Sequence, residues 1–279
     1  MIPRRAFLLS GCAFATAPFL ARAEILLSIK GSLLQSSLVI GTAAIRAESV
    51  VVDGNAISVS SEGYFVFGLN YDQTKPTTVV AKFSDKETVT RTIVPVVRKY
   101  DIQHVNGLPQ KFVTPPPDVE ERIKRENALV AEARKRDTAA TDFAKPFDWP
   151  IKGIVSGTFG SQRIDNGTPM APHFGVDIAA PKGTPVHAPA DGTVSLAESD
   201  FYLTGGTTML DHGHGVSTVY IHQDQVKVKV GDVVKRGDVI GLVGMKGRAT
   251  GPHLHWGMIW FQMRLDPSLS AVTPLPEKA

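Results

Sequence analysis

The sequence predicts a mainly β protein: an N-terminal β-sandwich-like domain, a helical linker and a C-terminal antiparallel β domain. Three observations carry this expectation. β-Branched runs recur between turn signals from Ile25 to about Thr114, a charged helical pattern follows a proline run, and no long amphipathic helix comes after Arg136. The last point argues against an α/β enzyme fold.

Size and charge agree with an ordinary folded protein. The chain has 279 residues, 43% hydrophobic and 20% charged, enough apolar surface for one or two domains. Its net charge is +3, but the first 23 residues hold Arg4, Arg5 and Arg22 and no acid, so the other 27 basic side chains balance 27 acidic ones. A neutral remainder gives no electrostatic case for nucleic acid or for an anionic membrane surface.

Residues 1–23 read as an export signal. An apolar stretch from Ala6 to Leu20 ends at Ala21-Arg22-Ala23, a cleavage pattern before Glu24. The stretch falls short of the roughly 20 residues that span a bilayer, so no transmembrane segment is expected in the mature chain. Arg4-Arg5-Ala6-Phe7-Leu8 resembles a twin-arginine signal, with ordinary secretion as the alternative. Leu9-Ser10-Gly11-Cys12 looks like a lipoprotein box, but too few apolar residues separate it from Arg5. Cys12 is the sole cysteine, so the mature chain has none for disulfides or metal, and any metal site must use His and carboxylates. A Gram-negative periplasm is the expected location.

The N-terminal domain is assigned to residues 24–114. Glu48-Ser-Val-Val-Val, Asp53-Gly54-Asn55 and Ala56-Ile-Ser-Val-Ser make a hairpin signal. Ser61-Glu62-Gly63 precedes the run Tyr64-Phe-Val-Phe-Gly-Leu, and Thr88-Val-Thr-Arg-Thr-Ile-Val supplies another strand. His104 stands alone here and reads as a surface or structural residue.

Residues 115–141 form the linker. Pro115-Pro116-Pro117 stops any strand, and Asp118 with Glu121 suggests a capping box for a helix to about Arg136, where Arg134, Lys135 and Arg136 suit a helix C-terminus. The thin stripe of Val119, Ile123, Val130 and Ala133 suits a helix packed between domains better than a coiled coil.

The second domain is assigned to residues 147–270. Its turns are expected at Asp191-Gly192, Asp211-His-Gly-His-Gly and Gly231-Asp232, and Val226-Lys-Val-Lys-Val alternates as a half-buried strand does. Seven of the eight histidines fall between His173 and His255. In an extended chain His173 and Asp177 point the same way, and Gly175 between them leaves room; His253 and His255 likewise share a face, with Leu254 and Trp256 on the other. Two strands could thus present three or four ligands. Imidazole and carboxylate suit zinc, and two histidines plus one carboxylate with an open position is the set of a catalytic site.

At these residues the chain resembles the lysostaphin-type zinc metallopeptidases, which cut peptide bonds in peptidoglycan. The likeness runs through Gly157-Thr-Phe-Gly, His173-x-x-x-Asp177-Ile-Ala-Ala-Pro-x-Gly-Thr-Pro-Val, Tyr220-Ile-His222, Val230-Gly-Asp-Val-Val-Lys-x-Gly and Gly251-Pro-His253-Leu-His255, roughly the last 120 residues. It implies His173, Asp177 and His255 as Zn2+ ligands, with His222 and His253 as catalytic histidines beside the metal. His253 would be the general base and His222 the oxyanion stabiliser, an assignment that could be exchanged. Gln223 stands in place of leucine and Gly257 in place of an acidic residue, which leaves groove shape open. The implied activity is hydrolysis of peptidoglycan cross-link or stem peptides. The alternative is a non-catalytic peptidoglycan-binding or amidase-activating regulator of the same fold, and an envelope regulatory partner is unassigned.

Other residues compete for the site. His212 and His214 repeat the His-x-His spacing, but their glycines suggest a turn with both imidazoles in solvent. His187 reads as exposed. Tyr220 reads as core, with a hydroxyl near the metal as the sharper alternative. The N-terminal domain is expected to position or cover the groove.

Overall fold

The computed structural model describes residues 26–44 and 47–272. The export signal and Cys12 lie outside the described residues. No helix among the described residues is long and apolar enough to cross a membrane.

The N-terminal unit is two antiparallel sheets facing each other. One joins Leu27–Lys30, Leu38–Ala43 and Tyr64–Gly68; the other joins Ala47–Val52, Asn55–Ile57, Thr77–Phe83 and Thr88–Ile93. Val39, Phe65 and Phe67 of the first meet Val50, Val79, Ala81 and Phe83 of the second in one buried core. Alternation selects these residues, since successive side chains point to opposite faces. Val52 pairs with Asn55 across Asp53-Gly54, and both turn residues have positive φ, +48° and +84°, as a two-residue hairpin turn requires.

The linker helix runs over Pro117–Ala133 and differs at its start from the expected capping box. Pro116 is the N-cap, Pro117 opens the first turn, and no side chain caps it. A fixed proline φ substitutes for the missing cap. Ala133 joins Leu196, Phe201, Met209, Val219 and Ile259 in a buried cluster, while Glu126 accepts from the Tyr202 amide at 2.8 Å. The helix therefore packs on the second unit's sheet.

That sheet has ten antiparallel strands. Its spine runs Gly192–Phe201, Gly205–Gly213, Val216–Val226, His253–Trp260, Val176–Ala179 and Ile154–Gly157. The Val226–Val230 alternation is not a strand: regular pairing stops at Val226, and only the Lys227 amide reaches across, to Ile240. Val228 still packs against the second unit's core, but Val230 is left 57% exposed, so the alternation buries only part of its face.

The two units are in contact. Leu38 and Val66 of the sandwich share a buried cluster with Phe143, Phe147, Val216, Met258 and Leu265. Strand Ile102–Val105, which precedes the proline run, pairs in parallel with Gln162–Asp165 of the second unit.

Candidate metal centre

The strand Val176–Ala179 lies between His253–Trp260 and Ile154–Gly157. Antiparallel register sets Asp177 directly opposite His255, and Ala179 opposite His253. The other face of this strand and of His253–Trp260 beside it, through Ile178 on the first and Leu254 and Trp256 on the second, is fully buried in the core, so packing dictates which way the polar residues point.

His173 precedes the strand on a loop held by two backbone hydrogen bonds. Its amide donates to the Ser161 carbonyl at 2.8 Å and its carbonyl accepts from Gly160 at 2.7 Å. The loop is buttressed from the N-terminal unit, where Tyr71 donates to the Gly160 carbonyl at 3.0 Å and stacks on Tyr100 with ring centroids 4.3 Å apart. Close approach explains Gly175: a Cβ there would fall 2.3 Å from His255 Nε2.

Three side chains converge. His173 Nε2 lies 2.8 Å from His255 Nδ1 and 3.0 Å from Asp177 Oδ1, and His255 Nδ1 lies 2.8 Å from the same oxygen. His173 Nδ1 is 3.2 Å from the Thr158 carbonyl, which fixes that nitrogen as the N–H and leaves the Nε2 lone pair facing the cluster. Three lone-pair donors aimed at one point fit a divalent cation such as zinc. Gly157 makes space for the carboxylate, since a Cβ there would meet Asp177 Oδ2 at 2.7 Å.

Electrostatics follow from burial. Desolvation alone would raise the Asp177 carboxyl, but the His173 and His255 imidazoles outweigh it and hold the group well below its usual range. Burial pushes His255 down to about 4 despite that carboxylate. His222 is pushed well below its ordinary value by burial, then by the neighbouring His253 and His255.

His222 and His253 stand beside the cluster, with ring centroids 4.8 Å apart. Each donates Nδ1–H to a backbone carbonyl at 2.8 Å, His222 to Lys246 and His253 to Gly251. His253 Nε2 is 3.9 Å from Asp177 Oδ1. His222 adopts φ +64°, so the strand Val216–Val226 is irregular at this point.

The remaining expectations divide. His212 and His214 are outside the cluster, but neither is in solvent: they are 0% and 5% exposed. The hairpin that carries them is covered by Phe147 and Phe143 from the linker's end, a contact that local glycine content does not foretell. Tyr220 is core, its hydroxyl 2.7 Å from Thr218 Oγ1. His187 is partly exposed, with Nδ1 donating to the Gly237 carbonyl at 2.8 Å. Gln223 is fully buried and donates to Thr208 Oγ1 and the Tyr220 carbonyl, both at 3.0 Å, so it faces the interior. At Gly257 a Cβ would meet Val219 Cγ1 at 2.8 Å, which leaves no room for an acidic side chain. His104 is exposed on Ile102–Val105 yet lines the recess beside Asp177.

Sequence reasoning missed Arg163, which donates Nη2–H to Asp177 Oδ2 at 2.5 Å. It also missed Arg248, paired with buried Asp165 at 3.7 Å. Neither arginine stands in a motif. The register Gln162–Asp165 against Ile102–Val105, which aims Arg163 at the cluster, is a long-range pairing with no local signal.

Comparison with known proteins supports the class of fold first, mainly β and antiparallel. More particularly, residues 171–267 match Peptidase family M23, a metallopeptidase family, and form a domain of it. The peptidoglycan DD-endopeptidase ShyA of Vibrio cholerae is 42% identical over 109 residues, 39% of this chain and 25% of that protein. The DD-carboxypeptidase/endopeptidase Mpg of Neisseria gonorrhoeae is 42% identical over 106 residues, 38% of this chain and 24% of its own. The chain thus spans about a quarter of the length of these curated relatives. A crystal structure from Pseudomonas aeruginosa assigned to peptidase M23 superposes with a TM-score of 0.63 at 27% identity, covering 90% of this chain and 97% of that one.

Proposed function

We propose that this protein is a zinc-dependent endopeptidase that hydrolyses peptide bonds in peptidoglycan cross-links or stem peptides. The observation that carries the reading is the convergence of His173 Nε2, Asp177 Oδ1 and His255 Nδ1 within 3.0 Å, with two further imidazoles beside them. These three residues would hold the zinc. When bound, the metal supplies acidity to a water and polarises the carbonyl to be attacked.

The chain's own groups move the proton. His253 donates Nδ1–H to the Gly251 carbonyl, so its Nε2 carries the lone pair that accepts the water's proton. Asp177 Oδ1 nearby favours the imidazolium that results, which then donates to the departing amine. His222 takes a different part from the expected oxyanion stabiliser. Burial keeps it neutral and its N–H is engaged with Lys246, so its Nε2 accepts hydrogen bonds and orients the water. Arg163 holds the second oxygen of Asp177 and fixes the carboxylate's rotation.

The two relatives named above, by their own descriptions endopeptidases, support the substrate class and an envelope location. The Ile102–Val105 segment and the Tyr71–Tyr100 buttress support a positioning role for the N-terminal unit. A fragment starting near Thr138 lacks both.

The test is digestion of purified peptidoglycan, with released fragments read by mass spectrometry. Cleavage should stop on chelation and return with zinc, and the fragments should carry new peptide termini. Cleavage that survives chelation overturns the zinc reading; fragments with only new glycan ends overturn the peptidase reading.

A further inference from the structure

Two distant parts of the chain meet on the turn 202–204, which joins strands Gly192–Phe201 and Gly205–Gly213. From one side comes the linker helix. Glu126 accepts from the Tyr202 amide at 2.8 Å and from Arg122 Nε at 2.6 Å, while Arg122 Nη2 donates to the Asp200 carbonyl. The Tyr202 ring packs against Phe112, with centroids 5.3 Å apart, and its hydroxyl donates to the Lys111 carbonyl at 3.1 Å. From the other side comes the surround of His222. The Thr204 carbonyl accepts from the His222 amide at 2.7 Å, and the Leu203 carbonyl accepts from the Arg248 amide at 2.8 Å.

The loop that carries Arg248 also carries Lys246, whose carbonyl takes the His222 Nδ1–H. It is pressed onto the turn: a Cβ on Gly205 would fall 2.3 Å from Lys246 Cβ, and one on Gly247 would fall 2.5 Å from the Leu203 carbonyl oxygen. The turn therefore sets both contacts of His222, the backbone one directly and the ring one through the docked loop. His222 needs this holding. Its φ of +64° is strained for a residue with a side chain, and such a backbone persists only where its surroundings over-determine it. The three turn residues are themselves partly exposed, and an unanchored hairpin tip opens easily. The helix supplies the anchor.

We propose that Glu126 of the linker helix is a positioning residue for His222: by accepting from the Tyr202 amide it fixes the turn that holds this imidazole by backbone and ring. The inference rests on the peptidase reading, in which His222 orients the water, and it gives the linker a part in the reaction. Glu126 touches neither ligand nor catalytic histidine, so its effect passes through Tyr202, Leu203 and Thr204. Losing it should loosen His222 while leaving His173, Asp177 and His255 in place.

The test uses the full mature chain, zinc-loaded, with soluble cross-linked stem peptides as substrate and amide hydrogen exchange read by NMR. Glu126→Ala should lower kcat about tenfold with KM changed by less than about twofold and zinc content unchanged, the pattern of a lost transition-state contact. Exchange at the His222 and Arg248 amides should quicken by about tenfold or more. Glu126→Gln, which keeps an acceptor for the Tyr202 amide, should restore both to within about twofold. Val130→Ala serves as the structural control, since it loosens the packing of the same helix without touching the turn. It should lower the melting point at least as far and leave kcat and His222 exchange within about twofold of wild type. Unchanged His222 exchange in Glu126→Ala, or an equal loss of kcat in Val130→Ala, overturns the positioning role. Faster His222 exchange in Glu126→Ala with no cleavage by any form would leave that role standing and remove the peptidase reading, whereas cleavage by the wild type with unchanged exchange and kcat in Glu126→Ala would do the reverse.

Discussion

His253-Leu254-His255 and His212-Gly213-His214 share a spacing, the first within a strand of the ten-stranded sheet and the second at the end of one, yet only the first belongs to a candidate metal centre. The difference is in what stands across from them. His255 faces Asp177 in the antiparallel ladder, with Nδ1 turned to the carboxylate. His212 has both nitrogens occupied, Nδ1 by the Asp191 carbonyl and Nε2 by Thr218 Oγ1, each at 2.7 Å. The adjacent carboxylate is occupied too: Asp211 accepts from Thr138 Oγ1 and from the Gly213 amide, both at 2.9 Å. An imidazole needs a bare lone pair to bind metal, so full satisfaction by the protein makes His212 structural. Spacing nominates a histidine pair; the partner of each nitrogen decides its role.

Breaking the catalytic side of this contrast should have the largest effect. His253→Ala should retain zinc, measured by metal analysis, and lose turnover by about 10²–10⁴-fold, the usual worth of a positioned base. If zinc leaves with the imidazole, His253 is a ligand and the division of roles fails.

Arg163→Ala should weaken metal binding by about 10–100-fold, since it frees the second oxygen of Asp177 while leaving all three ligands in place. Competition with a chromophoric chelator reads this directly. An unchanged zinc affinity would mean that the arginine serves only substrate or packing.

On the structural side, His212→Ala should leave zinc content unchanged and cost about 2–4 kcal/mol of stability, from two lost hydrogen bonds and a buried void. Thermal melts check it. The pH dependence has a defined sign. Burial lowers the folded-state pKa of His212, so the unfolded chain binds a proton that the folded chain refuses. The stability tied to this residue is present above about pH 6.5, the ordinary histidine value, and is lost as pH falls from there toward the lower folded value. Between pH 7.5 and 5.5 the melting point of His212→Ala should therefore drop less than that of the wild type. An equal drop would assign the acid sensitivity to other groups.

Much of the candidate site was legible because strand alternation is local. Two residues apart means one face, and this holds for His253 and His255 on their strand; the same reasoning groups His173 with Asp177, but His173 reaches the carboxylate from a loop before the strand. The hairpin at Asp53-Gly54 was legible for the same reason. What stayed hidden depends on contacts between distant segments. The burial of His212 comes from Phe147, and the aim of Arg163 comes from pairing with Ile102–Val105. The helix start was misread because proline geometry replaced a side-chain cap, and Val226–Val230 alternated without acquiring a partner strand.

If the partner of each nitrogen decides its role, Asp177, and not histidine spacing, should make the metal centre. Zinc per chain, measured by elemental mass spectrometry after identical purification, tests it in three proteins: wild type, Asp177→Ala and the double variant His212→Ala with His214→Ala. One zinc per chain is predicted in the wild type and in the folded double variant, and almost none in Asp177→Ala, whose peptidoglycan cleavage should vanish with the metal. Full zinc content with undiminished cleavage in Asp177→Ala would contradict the account.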